Sequence, residues 1–564
     1  MTFGEALRPV APEFIMLIGA CLVLPVGLMR KLKGHDWTSG LALTTVILAL
    51  AAALAVQVPE ETIVPGLWIT TLTYYARVIA LALGALIVLV NWHQPAENER
   101  GEYMSLVLFS LLGVLVTAAA NDLIVLFFAV ELVSVPTYVL IALSREDVRA
   151  SESAVKYFFL GALSAAILAY GISFLYGAAG TTAIHVLADG QAVSSFAPFD
   201  AMGSTGLIGL LLVFAGLAFK IAAVPFHVYA PDVYEGAAAP VTGLLGFVPK
   251  FAGFLALVHV LAGCNWELPT SVMWLIWIVA ALTMTAGNVL ALLQQNVKRL
   301  LAYSSIAHTG YMLIALLVGP AAGLGPMQDG VAALLFYIAV YGAMNLGAFA
   351  VLAAFSKGDR EIETMRDIGG LSVRTPVAGL ALAVFMLSLM GLPPTAGFLG
   401  KLYIFGSAFS LGDGHPFQKP LIVLALIGVI NAAIGAAYYL RVVMSAYMGE
   451  DTAPRRPAAG MPLRIGVAVC SIALLFVFVW PTRLVTEAQT ATTALRDSIR
   501  QTRGRMTEAS PGLQSARTAT SGLTSVHPEF PMSRLSKRTE VPRGAFGTTA
   551  SNTNLPPGPQ RPRP

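Results

Sequence analysis

Charge is what this sequence lacks. Of its 564 residues only 12% are Asp, Glu, Lys or Arg, while 56% are hydrophobic. Soluble domains carry about 25% charged residues. A water-facing surface cannot be built from half that supply, so a soluble enzyme is excluded and the composition is that of a polytopic membrane protein. Cysteine is scarce too. Cys21, Cys264 and Cys470 are odd in number, far apart and mostly set in apolar stretches, which implies neither a disulfide framework nor a metal site. The opening stretch, MTFGEALRPVAPEF, lacks a basic n-region and a small-residue cleavage site. The first apolar run therefore reads as a retained span and not a removed signal peptide.

The small net charge of +4 is unevenly placed. Residues 482–564 hold 12 Lys+Arg against 5 Asp+Glu, whereas the first 481 residues hold 23 against 26. The surplus belongs to a C-terminal tail rich in Pro, Ser, Thr, Gly and Arg. This tail reads as basic and largely disordered, although 482–503 could form a short helix. Its only aromatics are Phe530 and Phe546, too few to make a stacking surface, so nucleic acid is not an expected partner.

What the sequence has is long apolar runs. A helix needs about 20 apolar residues to cross the bilayer core. Cutting at charge clusters and Pro/Gly turns gives fourteen candidates: 13–30, 38–57, 74–92, 103–120, 122–144, 152–178, 204–228, 237–262, 270–293, 299–318, 330–356, 376–410, 419–447 and 463–481. Backbone groups in lipid must bond internally, so these are helices, and the runs are too long and too uniformly apolar for barrel strands. The expected fold is thus an all-α polytopic membrane protein with about 14 transmembrane helices. The stretch 182–203 is polar enough to lie outside the membrane.

Loop charges set the orientation. Basic residues follow span 1 (Arg30, Lys31, Lys33), span 5 (Arg145, Arg149) and span 9 (Lys298, Arg299). They recur after span 11 (Lys357, Arg360, Arg366, Arg374) and span 13 (Arg455, Arg456), all odd-numbered spans. The opposite loops 58–73, 179–203 and 263–269 carry no Lys or Arg. Both termini are therefore expected outside.

Against this background the ionisable groups inside spans stand out. Glu131 lies near the middle of span 5, Lys220 in span 7, Lys250 halfway along span 8 and Lys401 in span 12; Lys156 enters span 6. A charge at bilayer depth is a functional candidate by default, though a buried Glu–Lys pair can be purely structural and Lys156, near a span end, could snorkel. Burial disfavours a charged lysine and a nearby carboxylate favours it. A movable partner can therefore switch such a lysine between holding and releasing a proton, which is the chemistry of a proton relay. His227, after the span 7 lysine, and His308, inside span 10, are secondary candidates because histidine titrates near neutrality. Tyr438, Tyr439 and Arg441 in span 13 are weaker ones.

Two spans read as broken. The segment 203–236 is too long for one straight crossing and holds Pro225 five residues after Lys220. The segment 376–411 holds Gly391, Pro393, Pro394 and Gly397, with Lys401 just after. Proline removes a helical hydrogen bond, and irregular backbone at depth is tolerated only where protein or internal water satisfies it. The breaks lie five spans apart. Spans 4–8 (103–262) and 9–13 (270–447) then read as two five-helix repeats, inverted because five is odd. Spans 1–3 (1–102) precede them, and span 14 (463–481) and the tail follow. The halves do not match charge for charge: opposite Glu131, span 10 offers Ser304, Ser305 and His308. The reading is two half-channels, one with Glu131 and Lys220, the other with Lys401, and Lys250 between them.

These residues resemble a known family. The motifs SESAVKYFFLGALSAAILAYGISFLYGAAGTT (151–182), KIAAVPFHVYAPDVYEGAAAPVTGLLGFVPK (220–250), QQNVKRLLAYSSIAHTGYMLIAL (294–316) and MRDIGGL…GLPPTAGFLGKLYIF (365–405) look like those of the antiporter-like membrane subunits of respiratory complex I. The likeness runs over about residues 12–481, and the run ending in LYGAAGTT favours one branch among the sister subunits. The resemblance implies a fourteen-helix, proton-translocating subunit of the bacterial inner membrane, driven by quinone reduction elsewhere. It implies that Glu131, Lys220, Lys250 and Lys401 are the family's relay residues, with Lys156 a further matching lysine. It also implies neighbouring membrane subunits as partners, and that NADH, FMN, iron–sulfur clusters and quinone are held by other subunits, this chain carrying none. Mrp-type cation/proton antiporters share the superfamily motifs. That reading, the membrane arm of a hydrogenase-like relative, and a scaffold with vestigial charges stay open at this point.

Overall fold

The computed structural model describes residues 8–29, 36–56, 62–64, 66–94, 99–145, 147–188, 191–196, 199–320, 327–355, 362–411, 415–449 and 460–508. Arg30, Lys31, Lys33, Lys357, Arg360, Arg455 and Arg456, which carry part of the orientation reading, lie outside the described residues, as does 509–564.

The described residues are helical nearly throughout. Six helices come first: α1 (Ala11–Leu28), α2 (Trp37–Ala55), α3 (Thr71–Val90), α4 (Arg100–Ala119), α5 (Leu123–Ser144) and α6 (Val148–Ala179). Then follow α7 (Phe199–Lys220), α8 (Ala230–Gly236), α9 (Ala239–Gly263), α10 (Thr270–Leu292), α11 (Val297–Val318) and α12 (Gly330–Ala354). A short α13 (Leu371–Arg374) leads into α14 (Pro376–Met390), α15 (Ala396–Ser407), α16 (Gln418–Met448) and α17 (Met461–Val479). Two small hairpins, β1 (Thr62–Val64) with β2 (Leu67–Ile69) and β3 (His185–Ala188) with β4 (Gln191–Ser194), lie in connections. The second occupies the polar stretch expected outside the membrane.

Among the described residues, 13 helices are long and apolar enough to cross a bilayer. The fourteenth expected span is divided between α14, at 15 residues, and α15, at 12. That division is why a length criterion passes over it. Span 7 is divided likewise, between α7 and α8.

Helix starts follow local chemistry. The Asp122 carboxylate accepts from the Ile124 and Val125 amides at the head of α5, Asp147 accepts from Ala150 at α6, and Asn296 accepts from Lys298 and Arg299 at α11. Short polar side chains at these positions satisfy amides that the first turn leaves without partners.

The body through Met506 forms one compact unit. Its centre is α9, α11 and α12. Every residue of α9 is buried, and nearly every residue of α11 and α12. Such helices are apolar all round because protein, not lipid, surrounds them. In α6 and α17, by contrast, most residues are at least partly exposed, with Phe159 66% and Ile472 65% exposed; these helices form the lipid-facing rim.

The first part of the tail is helical, in the region where the sequence allows a short helix over 482–503. Residues 482–508 form α18 (Thr482–Ala491) and α19 (Thr493–Glu508). Ala488, Ala491, Thr492, Leu495, Ile499 and Thr502 are buried at three- and four-residue intervals. This stripe is what a docked helix needs, and average composition hides it. α18 packs on α3 and α12. The rest of the disorder expectation lies outside the described residues.

Candidate functional site

Lys220 is the last residue of α7, and the helix stops there because the next nine residues are irregular. Ala222 takes a left-handed φ of 56°, and the Val224–Pro225 peptide is cis. Neighbouring side chains satisfy the backbone groups freed by the break. The Thr309 hydroxyl donates to the Ile221 carbonyl at 2.7 Å, Tyr229 donates to the Phe219 carbonyl at 2.9 Å, and the Val224 amide donates to the Thr283 hydroxyl at 3.0 Å. This is the condition under which broken helix survives at membrane depth. Lys220 Nζ, 3% exposed, donates to Glu131 Oε1 and to Ser134 Oγ, each at 2.8 Å. The expected pair of spans 5 and 7 is thus in contact.

Lys250 lies inside α9, immediately after Pro249, and is 2% exposed. Its ammonium donates to the Ser305 carbonyl and, at 2.9 Å, to the Thr309 hydroxyl, and it lies 5.7 Å from the centre of the Tyr341 ring. Between Lys220 and Lys250 is a cavity of about 10 Å3, lined by both lysines and by Tyr157, Tyr229, Tyr234 and Ser305. That is room for about one water molecule.

The second break belongs to Lys401. Gly391 ends α14 in the left-handed region at φ 85°, and the Pro393–Pro394 peptide is cis. Lys401 Nζ turns back from α15 and donates to the carbonyls of Leu389 and Met390 at 2.9 and 2.8 Å. These belong to the last turn of α14, whose carbonyls lack helical partners and carry the negative end of the helix dipole. A cation is stabilised there without a carboxylate. A Cβ on Gly391 would come within 2.8 Å of Lys401 Cδ, so glycine is needed for approach as well as for φ. Gly397 corrects an expectation. It is the second residue of α15 and not part of the break; its amide donates to Ser388 Oγ at 3.2 Å. A Cβ there would lie 1.9 Å from the Ser388 carbonyl oxygen. Close packing of the two half-helices, not a bend, requires this glycine.

Polar side chains of α11 and α12 fill the space between Lys250 and Lys401. Tyr341 donates to Ser305 Oγ at 2.7 Å. His308 Nδ1 lies 2.5 Å from the Tyr337 hydroxyl and Nε2 lies 2.9 Å from the Tyr439 hydroxyl, which also contacts Ser304. The Lys401 ammonium is 5.2 Å from the centre of the Tyr311 ring. Among the described residues no carboxylate is within ion-pair distance of Lys250 or Lys401. The result is a buried polar line, Glu131–Lys220–Lys250–His308–Lys401, with hydroxyls between its charges.

The remaining candidates lie off this line. Lys156 is 44% exposed and pairs with Glu152 at 2.7 Å and Asp232 at 3.2 Å. Asp232 also meets Arg299, which reaches Glu235; the group ties α6, α8 and α11 together at one membrane end. His227 is half-buried in the span 7 break, its Nδ1 without a hydrogen-bond partner. Arg441 donates to the Leu292 and Gln294 carbonyls and so caps α10.

Sequence reasoning missed Thr309, Tyr311, Tyr337 and Tyr341. The signal for the last two was the spacing Tyr337, Tyr341, Asn345, one face of α12 at four-residue intervals. It also missed a buried pair, Arg77 with Glu13 at 2.7 Å, joining α3 to α1. Among the described residues no cluster of His, Cys, Asp and Glu could hold a metal ion.

The family described as NADH:quinone oxidoreductase/Mrp antiporter, TM, matches residues 120–435. A curated relative from Rhodospirillum rubrum, NADH-quinone oxidoreductase subunit N, is 37% identical over 503 residues, covering 88% of this chain and 99% of that protein. A chain of respiratory complex I from Thermus thermophilus with bound aureothin is 31% identical with a TM-score of 0.68, covering 84% of this chain and 98% of its own. A chain of the Mrp complex from Dietzia sp. shares the fold, with a TM-score of 0.74 at 19% identity over 88% of this chain and 100% of its own.

Proposed function

Starting from the premise that this chain belongs to the NADH-quinone oxidoreductase subunit N family, and so is a proton-translocating membrane subunit of complex I with other complex I membrane subunits as partners, we propose that its protons travel along the buried polar line. The observation that carries this reading is the arrangement of Lys250 and Lys401. Both are buried, Lys250 on a carbonyl and a hydroxyl and Lys401 on two carbonyls, with no carboxylate partner among the described residues.

A proton taken up from the cytoplasm reaches Lys250 by way of Lys220 and the one-water cavity. It passes along the hydroxyl groups around His308 to Lys401 and leaves outward. Glu131 sets the first step. Paired, it keeps Lys220 charged; withdrawn, it leaves a buried ammonium uncompensated, and the proton moves on. The two breaks serve two half-channels in inverted repeats, spans 4–8 and 9–13. Moving one charge against 100 mV requires about 2.3 kcal/mol, and the drive comes from redox chemistry in other subunits. In this reading the chain has no redox centre of its own; NADH, FMN, iron–sulfur clusters and quinone are held by its partners. The chain resides in the bacterial inner membrane with both termini outside.

The test is proton pumping and quinone reduction measured together in the intact complex carrying Lys220→Ala or Lys401→Ala. Loss of pumping in both supports the relay; normal pumping in both overturns it. The fold shared with an Mrp chain supports the second reading, a cation/proton antiporter subunit. Co-purifying NADH-oxidising and quinone-site subunits favour the first reading, and small antiporter subunits the second.

A further inference from the structure

A large cavity shares no lining residue with the polar line. It is a groove of about 730 Å3 between α12, α14 and α17, within the roughly 300–1,000 Å3 of ligand-binding clefts. Its walls are apolar, built by residues such as Val351, Leu380, Val384, Val467 and Leu475. Ser471, a hydroxyl within it, donates to the Val467 carbonyl of its own helix, so its proton is not offered to a ligand.

Two arginines line the groove, Arg374 and Arg464, and both stand at one end of it. Arg374 lies two residues before α14 begins, and Arg464 is in the first turn of α17. α12 finishes at this same end, where Ala354 and Phe355 join the lining. Along α17 the lining runs from Leu463 to Leu475, roughly 18 Å at the helical rise of 1.5 Å per residue. The hydrocarbon core is about 30 Å thick. The groove is therefore basic at headgroup level and apolar for about the depth of one leaflet. A transmembrane helix of a neighbour would call for a groove of full membrane depth. Basic pockets between transmembrane helices are sites for anionic headgroups.

We infer that the groove between α12, α14 and α17 binds an anionic phospholipid, its phosphate on Arg374 and Arg464 and its acyl chains along α17. The loop-charge orientation places this lipid in the cytoplasmic leaflet. The inference does not depend on the proton route.

The experiment uses the intact complex in phosphatidylcholine nanodiscs. Trace phosphatidylglycerol or phosphatidylcholine is added with the same photoactivatable group in the acyl chain, and adducts are mapped by peptide mass spectrometry. The anionic probe should label 376–384 and 463–475 about thirtyfold more than the zwitterionic one, as expected of two arginines near a headgroup. In Arg374→Gln/Arg464→Gln that excess should vanish. Ala468→Phe, which fills the groove wall and leaves the arginines in place, should remove labelling by both probes; it also serves if the double variant fails to assemble. Equal labelling by the two probes overturns the inference in favour of bulk lipid. No labelling by either overturns it in favour of a covering subunit, and an excess that survives loss of the arginines overturns the phosphate contact.

Discussion

The Thr309 hydroxyl stands between Lys250 and the span 7 break, accepting from the Lys250 ammonium at 2.9 Å and donating to the Ile221 carbonyl at 2.7 Å. One hydroxyl thus touches both a relay lysine and the backbone next to Lys220, and a shift of the break would be felt at Lys250. Thr309→Val keeps the shape and removes both bonds. Hydrogen bonds to charged groups contribute about 1.5–3 kcal/mol, so pumping per NADH oxidised should slow about tenfold or more. Thr309→Ser should restore most of it. Unchanged pumping in the valine variant would separate Thr309 from the route.

Glu131→Gln tests the switch. It leaves Lys220, 3% exposed, with neutral partners only, the new amide carbonyl and Ser134, and without the opposite charge. Removing one partner of a buried pair costs about 3–5 kcal/mol, with the low end expected here because Glu131 is 18% exposed. Pumping should fall and thermal stability should drop. The double variant Glu131→Gln/Lys220→Gln should regain stability without regaining pumping. A double variant less stable than the single one would count against the ion pair as the cause.

The two glycines of span 12 should behave differently. Gly391→Ala forces an alanine into φ 85° and against Lys401. A left-handed non-glycine residue costs roughly 1–2 kcal/mol, so the complex should still assemble while pumping falls. Gly397→Ala collides with backbone, the Ser388 carbonyl, and should prevent assembly. Native gel electrophoresis and a pumping assay read the two outcomes; equal behaviour would refute the distinction.

Lys156 gives the converse prediction. Its ion pairs with Glu152 and Asp232 are solvent-exposed, and such pairs contribute little. Lys156→Gln should change pumping by less than about twofold. A large loss would return Lys156 to the relay.

Much of this was legible because lipid makes exceptions conspicuous. Glu131, Lys220, Lys250 and Lys401 stood out as charges in apolar runs, and Pro225 and Gly391-Leu-Pro-Pro marked the breaks without any alignment. Tyr337, Tyr341 and Thr309 did not stand out, since tyrosine and threonine are common on apolar helices and their role depends on facing Lys250 and His308 across three helices. Gly397 was read as part of a bend because sequence shows that a Cβ is missing but not what would meet it. The α18–α19 stripe was hidden by averaging over a polar, basic tail.

Asp329 begins α12 by accepting from the Ala332 amide, and its other oxygen accepts from Thr492, at the end of α18, at 2.8 Å. The helix that carries Tyr337 and Tyr341 is therefore anchored by residues that follow the last membrane span. For anyone attaching a reporter or affinity tag, the usable boundary is not where hydropathy ends, near residue 480, but beyond 508. A fusion at the nearer point would delete the anchor along with what looks like a dispensable tail, and its loss of pumping would be misread as a defect of the tag.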